Sequence, residues 1–98
     1  MKINILDEAS AELDDAFQYY EYEQENLGYR FISKFTDALE LIKFYPNGWH
    51  SLSKRVRRCL VKGFPYGIIY QVREEEIIIV AVANLHRKPN YWVERIKK

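Results

Sequence analysis

Every residue from Ile77 to Ala83 is apolar, and the run follows directly on Glu74-Glu75-Glu76. Successive side chains of a strand point to opposite faces of the sheet, so a strand with one wet face alternates apolar and polar residues. Here nothing alternates. The segment is read as a strand buried on both faces, central in its sheet. The three glutamates ahead of it form a polar hairpin tip, and Tyr66 to Arg73 is then its antiparallel partner. The rest of the chain must supply the neighbours and the cover of this strand.

Upstream, the apolar spacing changes period. Ala9, Leu13, Ala16, Phe17 and Tyr20 recur at intervals of three and four, which predicts an amphipathic helix to about Glu25. Asp7 is its expected N-cap and Glu8 sits where the helix dipole favours an acid. Gly28 is expected to take the positive φ that ends the helix. A second stripe, Phe31, Ile32, Phe35, Ala38, Leu39, Ile42 and Tyr45, stops at Pro46-Asn47-Gly48. The two helices make an αα-hairpin. A short apolar run, Lys2 to Leu6, precedes them, and a polar loop from about Asn47 to Lys54 follows.

After that loop comes a strand with charge on both faces: Val56, Arg58, Leu60, Lys62 and Phe64 on one, Arg57, Cys59 and Val61 on the other. Such a strand belongs near a sheet edge. Beyond Pro89, the spacing of Tyr91, Trp92, Val93 and Ile96 folds a short helical segment back on one face. The order β-α-α-β-β-β predicts an α+β fold, a helical hairpin packed on a mostly antiparallel four-stranded sheet. At 98 residues the chain (1–98) is expected to be a single domain.

Several function classes are excluded at this level. The lone Cys59 forms no internal disulfide, and no run approaches the roughly 20 apolar residues of a membrane span, so a cytoplasmic protein is expected. His50, His86 and Cys59 lack the short spacing of a zinc motif, and the scattered glycines form no phosphate loop, so neither metal nor cofactor is expected. Cys59, mid-strand, is read as a packed thiol. The net charge of +1 conceals a division. Residues 1–50 carry four basic and ten acidic side chains, and residues 51–98 carry eleven basic and four acidic ones. No acid occurs from Leu41 to Arg73, while Lys54, Arg55, Arg57, Arg58 and Lys62 crowd together. A cationic surface of this kind attracts phosphate backbones or acidic proteins.

The Arg57-Arg58 pair, the Phe64-Pro65-Tyr66 turn, Tyr70 and the His86-Arg87-Lys88-Pro89 exit followed by Tyr91-Trp92 occur in one order. In this the chain resembles the RelE/ParE superfamily, toxins of type II toxin-antitoxin (plasmid stabilization) systems. The resemblance implies the same β-α-α-β-β-β arrangement, growth inhibition and a cognate antitoxin. One branch cleaves ribosome-bound mRNA without a metal, using sheet lysines and arginines with a C-terminal histidine or tyrosine. The other poisons DNA gyrase by contact and hydrolyses nothing. By place and type the resemblance marks His86, Arg87 and Tyr91 as catalytic candidates. It marks Arg55, Arg57, Arg58, Lys62, Arg73 and Lys88 as nucleic-acid or target-binding candidates.

Each of these residues also has a structural reading. His86 serves as a cap on the preceding strand, Tyr66 and Tyr70 as half-buried sheet residues, and Tyr91 and Trp92 as core aromatics. Arg57 and Arg58 face opposite ways, so at most one shares a site with Arg55, and the other is expected to pair with a helix acid such as Glu12 or Asp15. The chain departs from the mRNA-cleaving branch in being nearly neutral and in having no carboxylate near its basic strand to act as a base. The gyrase-inhibiting reading is therefore favoured over the endoribonuclease, with a degenerate toxin that only binds its antitoxin as the third.

Overall fold

The computed structural model describes residues 1–96. Strand β1 (Lys2–Ile5) leads into helices α1 (Asp7–Glu23) and α2 (Leu27–Phe44). Four strands follow, β2 (His50–Ser51), β3 (Val56–Leu60), β4 (Tyr66–Arg73) and β5 (Glu76–Asn84), and a short helix, α3 (Val93–Ile96), ends the described chain. The sheet order is β1-β5-β4-β3-β2, antiparallel throughout except that β1 pairs parallel with β5. The all-apolar segment is thus an interior strand. The sheet has five strands and not four, because β2 lies within the expected polar loop. Two residues carry no periodicity that a sequence could display.

One extra residue in β5 organises the two faces of the sheet. The register with β4 steps from Ile69↔Ala81 to Tyr70↔Ile79, leaving Val80 as a bulge. Before it, Ile77 and Ile79 point toward the helices; after it, Val82 does. Val80, Ala81 and Ala83 turn to the opposite face, where Val56, Ile69 and Trp92 join them. The helices cover the first face with Ala9, Ala16, Phe31, Phe35, Ala38 and Ile42, all buried. Tyr91, Val93 and Ile96 pack with Trp92 against the second. Each face of β5 therefore meets apolar cover, which is what its composition requires.

Several local expectations are corrected. Leu6, not Asp7, holds the N-cap position of α1, without a side-chain hydrogen bond, and Asp7 is already helical. The left-handed turn between the helices is taken by Asn26, φ 71°, and Gly28 lies inside α2. Its neighbours explain the glycine: a Cβ there would stand 2.6 Å from the Phe17 carbonyl oxygen. The helices meet at this point, and the carboxylate of Glu21 accepts the backbone N–H groups of Asn26 (3.0 Å) and Gly28 (2.9 Å), capping α2 from α1. Tyr45 leaves the buried stripe because it is the C-cap of α2, with non-helical angles that swing it outward. Strand β3 stops at Leu60, so Lys62 and Phe64 lie in the following turn and Phe64 packs on the helix side.

Tyr70 is fully buried rather than half-buried. Its hydroxyl donates to the Pro46 carbonyl at 2.6 Å, tying the sheet to the end of α2, and burial pushes its ionisation up to about 12. An unfolded tyrosine ionises near ~10, so above that pH the unfolded chain sheds a proton that the folded chain retains. Stability should be unaffected by this group below pH ~10 and should fall by up to ~3 kcal/mol as the pH rises toward 12. Urea titrations of the wild type and Tyr70→Phe across that range test this, the variant lacking this part of the alkaline slope. Gly28→Ala should cost about 1–3 kcal/mol by thermal or urea melts, because the obstructing atom belongs to the backbone.

Candidate functional site

Alternation along β3 separates the two central arginines. Arg57, opposite Tyr70, is on the helix side of the strand and donates to the Trp49 carbonyl at 2.8 Å. Arg58, opposite Ile69, lies on the other side. Its stem crosses Gly67, where an added Cβ would come within 2.9 Å of the Arg58 Cγ and Cδ. A glycine in β4 thus makes room for the arginine to lie flat along the sheet. The Arg58 Nε is buried, and among the described residues nothing accepts its hydrogen bond. A buried guanidinium N–H without an acceptor is costly, and Arg58 bears that cost while its stem packs along the sheet.

The chain leaving β5 brings more charge to the same place. The side chain of Asn84 accepts the His86 N–H at 2.9 Å and its carbonyl accepts the Arg87 N–H at 3.1 Å, while the Leu85 N–H donates to the Pro65 carbonyl. This tight turn carries Arg87 and Lys88 beside Arg58. A pocket of about 150 Å³ results, lined by Arg58, Asn84, Arg87, Lys88, Tyr91 and Trp92 among others. His86 is exposed at its margin, not among the residues that line it.

One carboxylate fixes the wall of this pocket. Glu12, from α1, accepts Arg95 through both of its oxygens (2.9 and 3.1 Å), the Tyr91 hydroxyl at 2.6 Å and the Val82 N–H at 3.0 Å. Arg87 reaches it at 3.4 Å and lies 3.8 Å above the Tyr91 ring. The Glu12 and Arg95 side chains are 13% and 16% exposed, so this ion pair is largely shielded from water. Burial, then the hydrogen bond to Glu12, pushes the Tyr91 ionisation far up. The phenol is a structural donor. The expected pairing of Glu12 or Asp15 with Arg57 or Arg58 is replaced by these partners, because α1 runs beside β5 and not beside β3.

The remaining candidates are elsewhere. Arg55 and Arg57 face a second recess with Lys54 and Glu74. Arg73 lies on a third, beside Glu8 and Arg95. Lys62 is exposed in the turn after β3. Cys59 is buried, and burial pushes its thiol up to about 11, the condition of an inert packed cysteine despite its arginine neighbours. Among the described residues there is no group of three or more His, Cys, Asp or Glu arranged to hold a metal, and no helix is long and apolar enough to cross a membrane.

Residues 3–91 match the family model described as the ParE toxin of the type II toxin-antitoxin system parDE. The chain belongs to the ParE toxin family. Among solved structures it is similar to a chain of the chromosomal ParDE toxin-antitoxin system from P. aeruginosa, with a TM-score of 0.63 at 20% identity over 88% of this chain and 97% of the other. No curated protein matches it.

In this ParE-family toxin, sequence reasoning missed Arg95 and the central place of Glu12. The two residues sit far apart in the chain, and only the fold brings them into contact. Glu12→Gln should leave Arg95 inadequately paired and cost about 3 kcal/mol in urea unfolding. Amide hydrogen exchange should report the loss at Trp92 to Ile96 before it reports it in α2.

Proposed function

We propose that this toxin inhibits growth by binding DNA gyrase in the cytoplasm, without hydrolysing a substrate, and that a cognate antitoxin neutralises it. One observation carries the proposal: Arg58, Arg87 and Lys88 gather at a pocket whose tyrosine is committed to Glu12. The pocket has strong groups for holding an anion, while its phenol is bound and resists ionisation. Proton transfer in RNA cleavage needs a group poised to exchange a proton near neutral pH. Electrostatic attachment needs only the cations. Family membership supports the ParE-like mode of action, and the P. aeruginosa ParDE system supports an antitoxin partner.

Induced expression followed by separate pulse-labelling of DNA and protein synthesis tests the target. DNA synthesis should fall first, and purified protein should leave mRNA on ribosomes intact. Arg58→Gln and Arg87→Ala should relieve growth inhibition, whereas His86→Gln and Cys59→Ser should remain toxic. Prompt loss of translation, with cleavage abolished in His86→Gln, would make the chain an endoribonuclease. Antitoxin binding should also weaken as salt is raised, since exposed opposite charges are screened.

A further inference from the structure

A hollow remains where the C-terminal segment meets the start of β3. This fourth recess, of about 490 Å³, is larger than the cationic pocket and has Leu52, Val56, Trp92, Val93 and Ile96 as its apolar lining. Val56 and Trp92 are buried and the other three half-buried, so the lining is continuous with the core of the second face. Lys54 and Arg55, both exposed, bring positive charge to it, and no acid lines it. The loop that carries the two cations is already bonded to itself. The Leu52 and Ser53 N–H groups both donate to the Val56 carbonyl, at 2.8 and 3.2 Å, and the Ser51 hydroxyl donates to the Ser53 carbonyl at 2.9 Å. A preformed recess of roughly 300–1,000 Å³, mostly apolar with a few polar groups, is the usual make-up of a small-molecule site.

We infer that this recess binds a small, free aromatic carboxylate. The ring system lies on Val56 and Trp92 between Leu52 and the tail, and the carboxylate meets Lys54 and Arg55. Both halves of the ligand follow from the lining. The apolar floor gains by excluding water against a hydrocarbon body, which a sugar-phosphate backbone lacks, and the two cations select a negative charge. A fused ring is rigid, so it loses less freedom on entry than an acyl chain of the same size, and its faces suit both an indole and a guanidinium. A peptide strand finds little to pair with at this point, because the Val56 carbonyl is already taken twice. The site does not depend on the gyrase reading: Arg58, Arg87 and Lys88 take no part in it.

The test uses the intact protein and 2-naphthoate as the probe. Its controls are 2-naphthamide, which keeps the ring without the charge, acetate, which keeps the charge without the ring, and a single-stranded oligothymidylate. Calorimetry reads affinity and stoichiometry, and NMR of the backbone amides and tryptophan indoles reads position. One equivalent of 2-naphthoate should bind, shifting the Trp92 indole and the amides of Leu52 to Val56 and Val93 to Ile96 while the Trp49 indole stays in place. It should bind at least tenfold more tightly than 2-naphthamide, and acetate should move none of these signals. Lys54→Gln with Arg55→Gln should remove that tenfold preference and leave 2-naphthamide binding unchanged. Val93→Ser should weaken both ring compounds at least tenfold. Lys54 and Arg55 are exposed, so their replacement keeps the comparison valid even if Val93→Ser lowers stability. Equal affinity for 2-naphthoate and 2-naphthamide would overturn the proposal, as would shifts centred on Arg58, Arg87 and Lys88, the absence of any binding, or an oligothymidylate that binds these residues more tightly and is indifferent to Val93→Ser.

Discussion

The architecture depends on how the edge of β5 is closed beyond the end of β1. Strand β1 pairs with β5 only as far as Ile79. Past that point, backbone groups of an interior, fully apolar strand would face no partner, at a cost comparable to a lost hydrogen bond for each. Glu12 accepts the Val82 N–H and Arg95 donates to the Val80 carbonyl at 3.0 Å. Because the two side chains also bind each other, a helix and the C-terminal segment are fastened to the same few atoms of the sheet. The anchor adds to the apolar packing that holds the segment on the second face, where Tyr91 and Trp92 form part of the pocket wall.

The distribution of cations follows from the same frame. Alternation on β3 sends Arg57 toward the helices and Arg58 toward the tail. What they then do depends on the strand beside them. Arg57 stands opposite a bulky Tyr70 and spends its donor on the Trp49 carbonyl. Arg58 passes over a glycine, and its Nε has no acceptor among the described residues. Two adjacent residues of one type thereby acquire different work, one joining a loop to the sheet and the other lining a recess.

The layered fold was legible because its signals are periodic. The run Ile77 to Ala83, the two helical stripes and the Tyr91 to Ile96 spacing each state which faces are covered, and the structure covers them. Features that depend on a single residue or on distant partners were not. The two-residue β2 has no period, and the bulge at Val80 is hidden inside a run in which all residues are apolar. Gly28 read as a helix stop because a glycine demanded by close helix approach looks the same in sequence as one demanded by a positive φ. At the site, the basic residues could be named but not grouped: Arg55, Arg58 and Arg73, all near in type and two of them near in sequence, face three different recesses. The strand register and the turn after Asn84 make that partition.

The sheet's two outer strands are only four and two residues long, Lys2–Ile5 and His50–Ser51. An outer strand is a template on which another chain can add itself by backbone hydrogen bonds, and long flat apolar edges lead to fibrils. This molecule puts its most aggregation-prone segment, the unbroken apolar β5, in the interior and presents only stubs at the margins, one of them backed by a doubly charged strand. Margins this short offer few unpaired backbone groups on which a second copy could extend the sheet.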